Sequence, residues 1–461
     1  MIARFDRRRT RGGAERSKLL DLLETGLEEV DAGRIVRAAL GEADGELGAA
    51  EANAETGNRR IWVFAIGKAA VPMADAAVEA LGSAFAGGMA IAPRGADEPR
   101  RCFRVVRAGH PIPDEDGLAA AAELVSTAGR VRKGDTALVL LSGGGSALVP
   151  APPGSIRHWD LAKTTALLLE SGAPIESVNV VRRHLSALQG GGLARLLRPA
   201  KVVTWILSDV VGSAPESIAS GPTVPDPTTF DDAVSILRRH RLWTRIPQSV
   251  RDHLVCGMRG EVEETAKPGE AIFDSASVRI LGDNETLLDG VCQAAEVGGF
   301  DVARIAEPVV GEAREAGRSV ARRAIELAAS ARRRTILVGG GETTVSVRGR
   351  GRGGRNQEFA LAASLDLDEA PGIWLAAFAS DGIDGPTDAS GALVDGTTIS
   401  GGRALGLDPL RSLVENDAYR FLDACGDLLF TGATGTNVAD VCLAMVDPAR
   451  ERSASSLRGR T

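Results

Sequence analysis

"IWVFAIGKAAVPMADAAVEAL", residues 61–81, sets the fold class. Its first six residues are apolar without exception. A strand with one wet face would alternate polar and apolar side chains, so this one is expected to be buried on both faces of a parallel sheet. Gly67 breaks the run, and the segment after Lys68 reads as a helix. The same change of period recurs along the chain. "TALVLL" (136–141) empties into glycines, while "KVVTWILSDV" (201–210) and "GIWLAAFASD" (372–381) each close on Ser-Asp. Buried strands alternating with helical patterns predict an α/β protein. In open sheets of this kind ligands collect at the carboxyl ends of strands, where these glycine and Ser-Asp clusters fall.

Composition narrows the function classes. A chain of 461 residues with 44% apolar residues can build two domains of ordinary size. It carries no apolar run long enough to span a bilayer, and its N-terminus lacks the apolar stretch of a secretory signal, which points to the cytoplasm and away from membranes. The net charge of −7 argues against a nucleic-acid partner. Five scattered cysteines, with no Cys-x-x-Cys pair, read as buried thiols. The local basic exception, "RFDRRRTRGG" at 4–13, reads as a flexible tail over residues 1–16. "CGMRGEVEETAKPGEAIFD" (256–274) is polar and charged and reads as a linker. The expected division is therefore 17–258 as an N-terminal domain, 259–275 as the linker and 276–461 as a C-terminal domain.

Several clusters could carry chemistry. "SGGGSAL" (142–148) offers Ser142, Gly143, Gly144, Gly145 and Ser146 at a strand end, where backbone N–H groups and hydroxyls suit phosphate oxygens. It equally suits a tight structural turn. Lys68 opens the helix after Gly67, from where an ammonium could neutralise a phosphate or a carboxylate, although most lysines at helix starts are merely solvated. No Walker A loop is present, because Ala69 follows Gly67-Lys68. Asp209 and Asp381 end strongly apolar strands and could hold Mg²⁺ or take a proton from a hydroxyl. Asp384 and Asp388 sit beside glycine and proline and read as turn-capping residues. "SVNVVRRHLSALQGGGLARLL" (177–197) reads as one helix that places Asn179 and Arg182 on a shared face, able to line a polar cleft. His184, on the same segment, has no triad company.

"GGGETTVSVRGRGRGGRNQEFAL" (339–361) is the hardest stretch to read. Gly349 to Gly354 satisfy Gly-x-Gly-x-x-Gly, but no acidic residue stands at the distance a dinucleotide site needs. "TTVSV" alternates as an antiparallel strand does. The remaining reading is a mobile basic loop whose last arginine, Arg355, opens a helix and faces an anion. Upstream, Gly340, Gly341, Glu342 and Thr343 are candidates for a ligand-cradling turn.

Taken together, these segments resemble the glycerate 2-kinase family, the ATP-dependent class whose C-terminal half is called the MOFRL domain. The resemblance runs from about Leu20 to Met445. It rests on "GKAA", "AGHPIPDE" (108–115), "LLSGGGSAL", "SVNVVRRHLS", "LSDVVGS", "ASGPTVPD" (219–226), "GGGETTV", "GGRNQEFAL", "ASDGIDGPTDASG" (379–391) and "TGATGTNVAD" (431–440) in order. It implies a Rossmann-like N-terminal α/β/α domain with a parallel sheet, a C-terminal α/β MOFRL domain, and an active-site cleft between them. The implied reaction is transfer of the γ-phosphoryl group of ATP, with Mg²⁺, to the 2-hydroxyl of D-glycerate. It also implies that Lys68 and Arg355 are catalytic or phosphate-binding groups. Asp209 and Asp381 match the Ser-Asp aspartates, with one as metal ligand and the other orienting or deprotonating the hydroxyl. Arg182 is the candidate for the substrate carboxylate, with Asn179 beside it. A small acid and a nucleotide are then the partners, and a homodimer is among the assemblies this permits. The chain departs from the family at Gln189, where relatives usually carry lysine, and at Ala433, where proline is common. A nicotinamide-dependent hydroxypyruvate reductase and a non-catalytic sugar-acid binding protein are the rival readings.

Overall fold

Ile61–Ile66 (β1) lies inside a six-stranded sheet with Phe85–Pro93 (β2), Arg104–Ala108 (β3), Thr136–Ser142 (β4), Lys201–Leu207 (β5) and Ala276–Gly282 (β6). The strand order is β3-β2-β1-β4-β5-β6, and every pairing from β3 to β5 is parallel. β1, β4 and all of β5 after Lys201 are buried, as their unbroken apolar sequences require. The order reverses between β1 and β4. Their carboxyl ends therefore splay their connections to opposite sides and leave a crevice, the place where open α/β sheets bind ligands. Gly67-Lys68 and Ser142–Ser146 both stand at that point.

The structure, a computed structural model, describes residues 4–448 apart from 43–45, 48–59, 97, 111, 211 and 213. Its contacts divide the chain into two compact units, 32–281 and a second made of 1–31 with 282–461. The second unit adds Asp301–Arg304 (β7), Gly311–Glu312 (β8), Thr335–Gly341 (β9), Thr343–Thr344 (β10), Ile373–Ala379 (β11), Gly391–Asp395 (β12), Leu428–Leu429 (β13) and Asp440–Val446 (β14). Six of these form a sheet in the order β13-β12-β11-β14-β9-β7, in which only β7 and β9 run parallel. The parallel setting expected for β11 is thus corrected. Its neighbours β12 and β14 are both antiparallel, and its residues are buried because helices pack on this sheet whichever way the strands run.

Five other expectations change. Residues 4–16 of the expected tail are packed on the second unit. Phe5 is buried edge-on to Phe378, Arg9 stacks on Phe430, and Arg16 is buried against Asp395 and Asp427. The 259–275 segment is stitched to the first unit, since Ala266 N–H donates to Gly190 O and its own carbonyl accepts from Asp226 N–H, while Arg195 grips Glu270. With β6 also in the first sheet, the division falls at 281–282. Residues 177–197 are not one helix. Ile175–Arg183 and Gly192–Leu197 are separated by Gly190 and Gly191, whose φ angles of 55° and 80° no helix contains. The loop of glycines and arginines is pinned. Gly351 N–H donates to Glu415 O, Arg348 and Gly349 N–H to Asn416 Oδ1, and Arg352 N–H to Asp417 Oδ1. Its glycines serve close backbone approach, because a Cβ on Gly349 would meet the Glu415 carbonyl carbon at 2.2 Å. Thr343 and Thr344 pair parallel to β8 and so make no antiparallel hairpin strand.

Candidate active site

In the first unit the crevice between β1 and β4 is closed by side-chain to backbone bonds. Ser142 is fully buried, and its hydroxyl accepts from Ala69 N–H at 3.0 Å, while Lys68 N–H donates to Gly143 O at 2.9 Å. Ser142 therefore positions the lysine turn and does not itself face a ligand. Gly144 is left-handed (φ 88°) and precedes the short helix Gly145–Leu148, whose first N–H groups have no partner within the helix. A Cβ on Gly144 would come within 2.8 Å of the His110 ring and 3.6 Å of Lys68 Cγ. The structure thereby brings together Lys68, Gly144 and His110, a histidine inside a quoted motif that was not singled out.

Ser146 faces a pocket lined by Arg182, Ser186 and Gln189 on its polar side and by Pro113, Pro150 and Leu161 among its apolar walls. Arg182 is deeply set, and burial lowers its pKa; an arginine nonetheless stays charged. No carboxylate pairs with it among the described residues. A charge taken out of water without a partner is costly, which makes this guanidinium the least compensated feature of the pocket. Asn179, expected beside it, is buried and instead accepts from Ser220 at 3.4 Å. Asp209 follows β5 at the same sheet edge and is half-buried.

In the second unit Arg355 opens the helix Arg355–Asp366, as the sequence suggested. Asp384 caps that helix, accepting from the N–H groups of Asn356 and Gln357 at 3.1 and 2.8 Å. Asp388 bonds Arg9, Arg352 and Tyr419. Arg355 itself is held by Asp440 through Nε at 2.5 Å and Nη2 at 3.0 Å, and by Glu342 through Nη1 at 2.7 Å. Burial pulls the arginine's pKa down, but the bonds and charge of Asp440 and the charge of Glu342 raise it overall. Burial pushes Asp440 up to about 7, against the pull of Arg355. Asp440 closes the quoted "TGATGTNVAD" motif yet was missed, because nothing local distinguishes it from a strand-start aspartate. Gly340, Gly341 and Thr343 line a small pocket together with Asn356, Phe359 and Asp440. Gly339, Gly340 and Gly341 lie in β9, paired with Cys442, Val441 and Asp440 of β14, and Thr343 is buried. Asp381, half-buried after β11, accepts from Ile383 N–H.

No group of three or more acidic, histidine or cysteine side chains that could hold a metal is found among the described residues. Mg²⁺ in phosphotransferases is commonly held by one or two carboxylates, with phosphate oxygens and water completing the shell. Asp209 and Asp381 are single strand-end carboxylates, each with a partner inside the protein.

These features define a two-unit α/β protein with a mostly parallel sheet in one unit and a mostly antiparallel one in the other. A domain of unknown function, DUF4147, matches residues 18–255, and the MOFRL family matches 335–440. The chain is 42% identical to the glycerate 2-kinase of Pyrococcus horikoshii over 87% of its own length and 89% of that protein. The crystal structure of a glycerate kinase from Thermotoga maritima superposes with a TM-score of 0.82 at 35% identity, covering 94% of this chain and 99% of that one. A protein of Agrobacterium vitis, provisionally named a hydroxypyruvate reductase, is 37% identical over 93% of this chain and 98% of its own. The chain belongs to the glycerate 2-kinase family. No helix among the described residues is long and apolar enough to cross a membrane.

Proposed function

We propose that this chain transfers the γ-phosphoryl group of ATP to the 2-hydroxyl of D-glycerate, giving 2-phosphoglycerate. The observation that carries the reading is Arg182, a deeply set cation with no carboxylate partner, opening on a pocket of otherwise apolar walls and a few hydroxyl and amide groups. Such a pocket fits a small hydroxy acid whose carboxylate the guanidinium receives. Phosphoryl transfer asks a protein mainly to position the nucleophile and to neutralise charge on the moving oxygens. In this reading Lys68 and Arg355 supply positive charge, and the N–H groups of Gly144, Gly145 and Ser146 donate to ligand oxygens. Asp209 and Asp381 would hold Mg²⁺ and orient or deprotonate the reacting hydroxyl; the ion, when bound, neutralises phosphate charge. A cytoplasmic setting and a homodimer belong to the same reading.

The test is ADP formation with D-glycerate, followed by phosphorus NMR of the product. A resonance coupled to the proton on carbon 2 is expected, and product phosphorylated only on carbon 3 would sink the regiochemistry. The name carried by the Agrobacterium relative favours a second reading, reduction of hydroxypyruvate with NADH. Its cheap assay is NADH oxidation. Gly349 and Gly351 of its supposed dinucleotide loop, however, are packed on the 415–417 backbone.

A further inference from the structure

The pocket beside Arg182 has a hydrogen-bond polarity that can be worked out from its fixed ends. Ser220 Oγ donates to Asn179 Oδ1 at 3.4 Å, which uses its one proton. With that proton so placed, Ser146 is the donor across its 2.8 Å contact with Ser220 Oγ, a contact in which either oxygen can donate. In this arrangement the Ser146 hydroxyl proton is used inside the protein, and toward the pocket its oxygen is an acceptor. Gln189 is 5% exposed and lines the same pocket. Its Nε2 donates to Ser146 O at 3.4 Å, which orients the amide, since the flipped form would set two carbonyl oxygens against each other. Its Oε1 is buried without a partner. A buried carbonyl oxygen left unpaired is destabilising until a donor reaches it.

One cation and two acceptors therefore belong to the lining of one small pocket, which also holds the hydroxyls of Thr164, Thr165 and Ser186. We infer that Ser146 and Gln189 are specificity residues that accept a hydrogen bond from the hydroxyl of the bound acid that does not react, so that this chain selects acids with two adjacent hydroxyls over plain 2-hydroxy acids. This rests on the reading of Arg182 as the carboxylate site. A site built to pair a substrate hydroxyl rejects the analogue lacking it strongly, because its own polar groups are then stranded.

The experiment compares D-glycerate with D-lactate, the same acid without the second hydroxyl, by titration calorimetry and by initial rates of ADP formation. Wild-type protein is expected to favour glycerate by about 100-fold or more in both Kd and kcat/KM. Gln189→Met and Ser146→Ala should each shrink that ratio at least tenfold, chiefly by weakening glycerate. A merely structural role would weaken both acids alike and leave the ratio unmoved, and that outcome in both variants overturns the inference. So does a wild-type protein that takes lactate as well as glycerate. Should Gln189→Met fail to fold, Ser146→Ala carries the decision alone. If wild type binds glycerate selectively but forms no ADP, the specificity site stands and the kinase reading falls.

Discussion

Arg182 and Arg355 are both drawn out of bulk water, and they are dressed in opposite ways. Arg182 has no carboxylate partner among the described residues and looks into a mostly apolar pocket. Arg355 is held on two sides, by Asp440 in a two-pronged pair and by Glu342, whose side chain is half-exposed. The lone cation has its charge uncompensated by the protein, which is why the proposed function places the substrate carboxylate there. The clamped one is already neutralised, so any phosphate it receives must exchange with Glu342, the looser partner. Asp440 is the fixed one that aims the guanidinium.

The widest contrast is expected from removing each arginine. Arg182→Ala should raise the KM for D-glycerate about 100-fold, because it leaves the substrate carboxylate unpaired, while the melting temperature moves by no more than about 2 °C. Steady-state kinetics and calorimetry on the same preparation check both halves. Arg355→Ala should cut turnover more than tenfold, as should Lys68→Ala, but only the former should also lose stability, by about 3 kcal/mol, since it strands the buried Asp440. Adding Asp440→Asn to Arg355→Ala should restore the melting temperature without restoring turnover. Equal melting curves for the Arg182 and Arg355 single variants would erase the distinction.

A smaller effect is expected from pH. Burial lifts the Asp440 carboxyl to about 7, so it is ionised and grips Arg355 above that pH and is protonated and loosens below it. kcat/KM should accordingly rise as pH increases through about 7, and the inflection should vanish in Asp440→Asn. The smallest change belongs to Glu342→Gln. A half-exposed pair is worth about 0–1 kcal/mol, so freeing Arg355 from this competitor should lower the KM for nucleotide by about threefold at most. A rise in KM would show that Glu342 assists binding.

The misreadings share a cause. Arg9, Arg11 and Arg16 read as a solvated tail because their partners Asp388, Asp395 and Asp427 lie hundreds of residues away, and no local pattern points to them. Asp440, His110 and Ser220 stood inside quoted motifs, yet what each one does depends on which strand or turn it meets. β11 looked parallel because burial on both faces leaves the same apolar run in either orientation. Arg182 was legible as a candidate, but its lack of a partner was not, because that is a property of its surroundings.

By itself the sequence determined the elements: the apolar runs of β1, β4 and β5, the glycine and Ser-Asp ends that follow them, and Arg355 at a helix start. These follow from periodicity and backbone stereochemistry, which act over a few residues. Only the tertiary structure decided strand orientation, the joining of 1–31 to 282–461, and the pairing state of each buried charge. Those depend on groups distant in sequence that share one low-dielectric space, where a single carboxylate present or absent decides whether an arginine is aimed by the fold or left for a ligand.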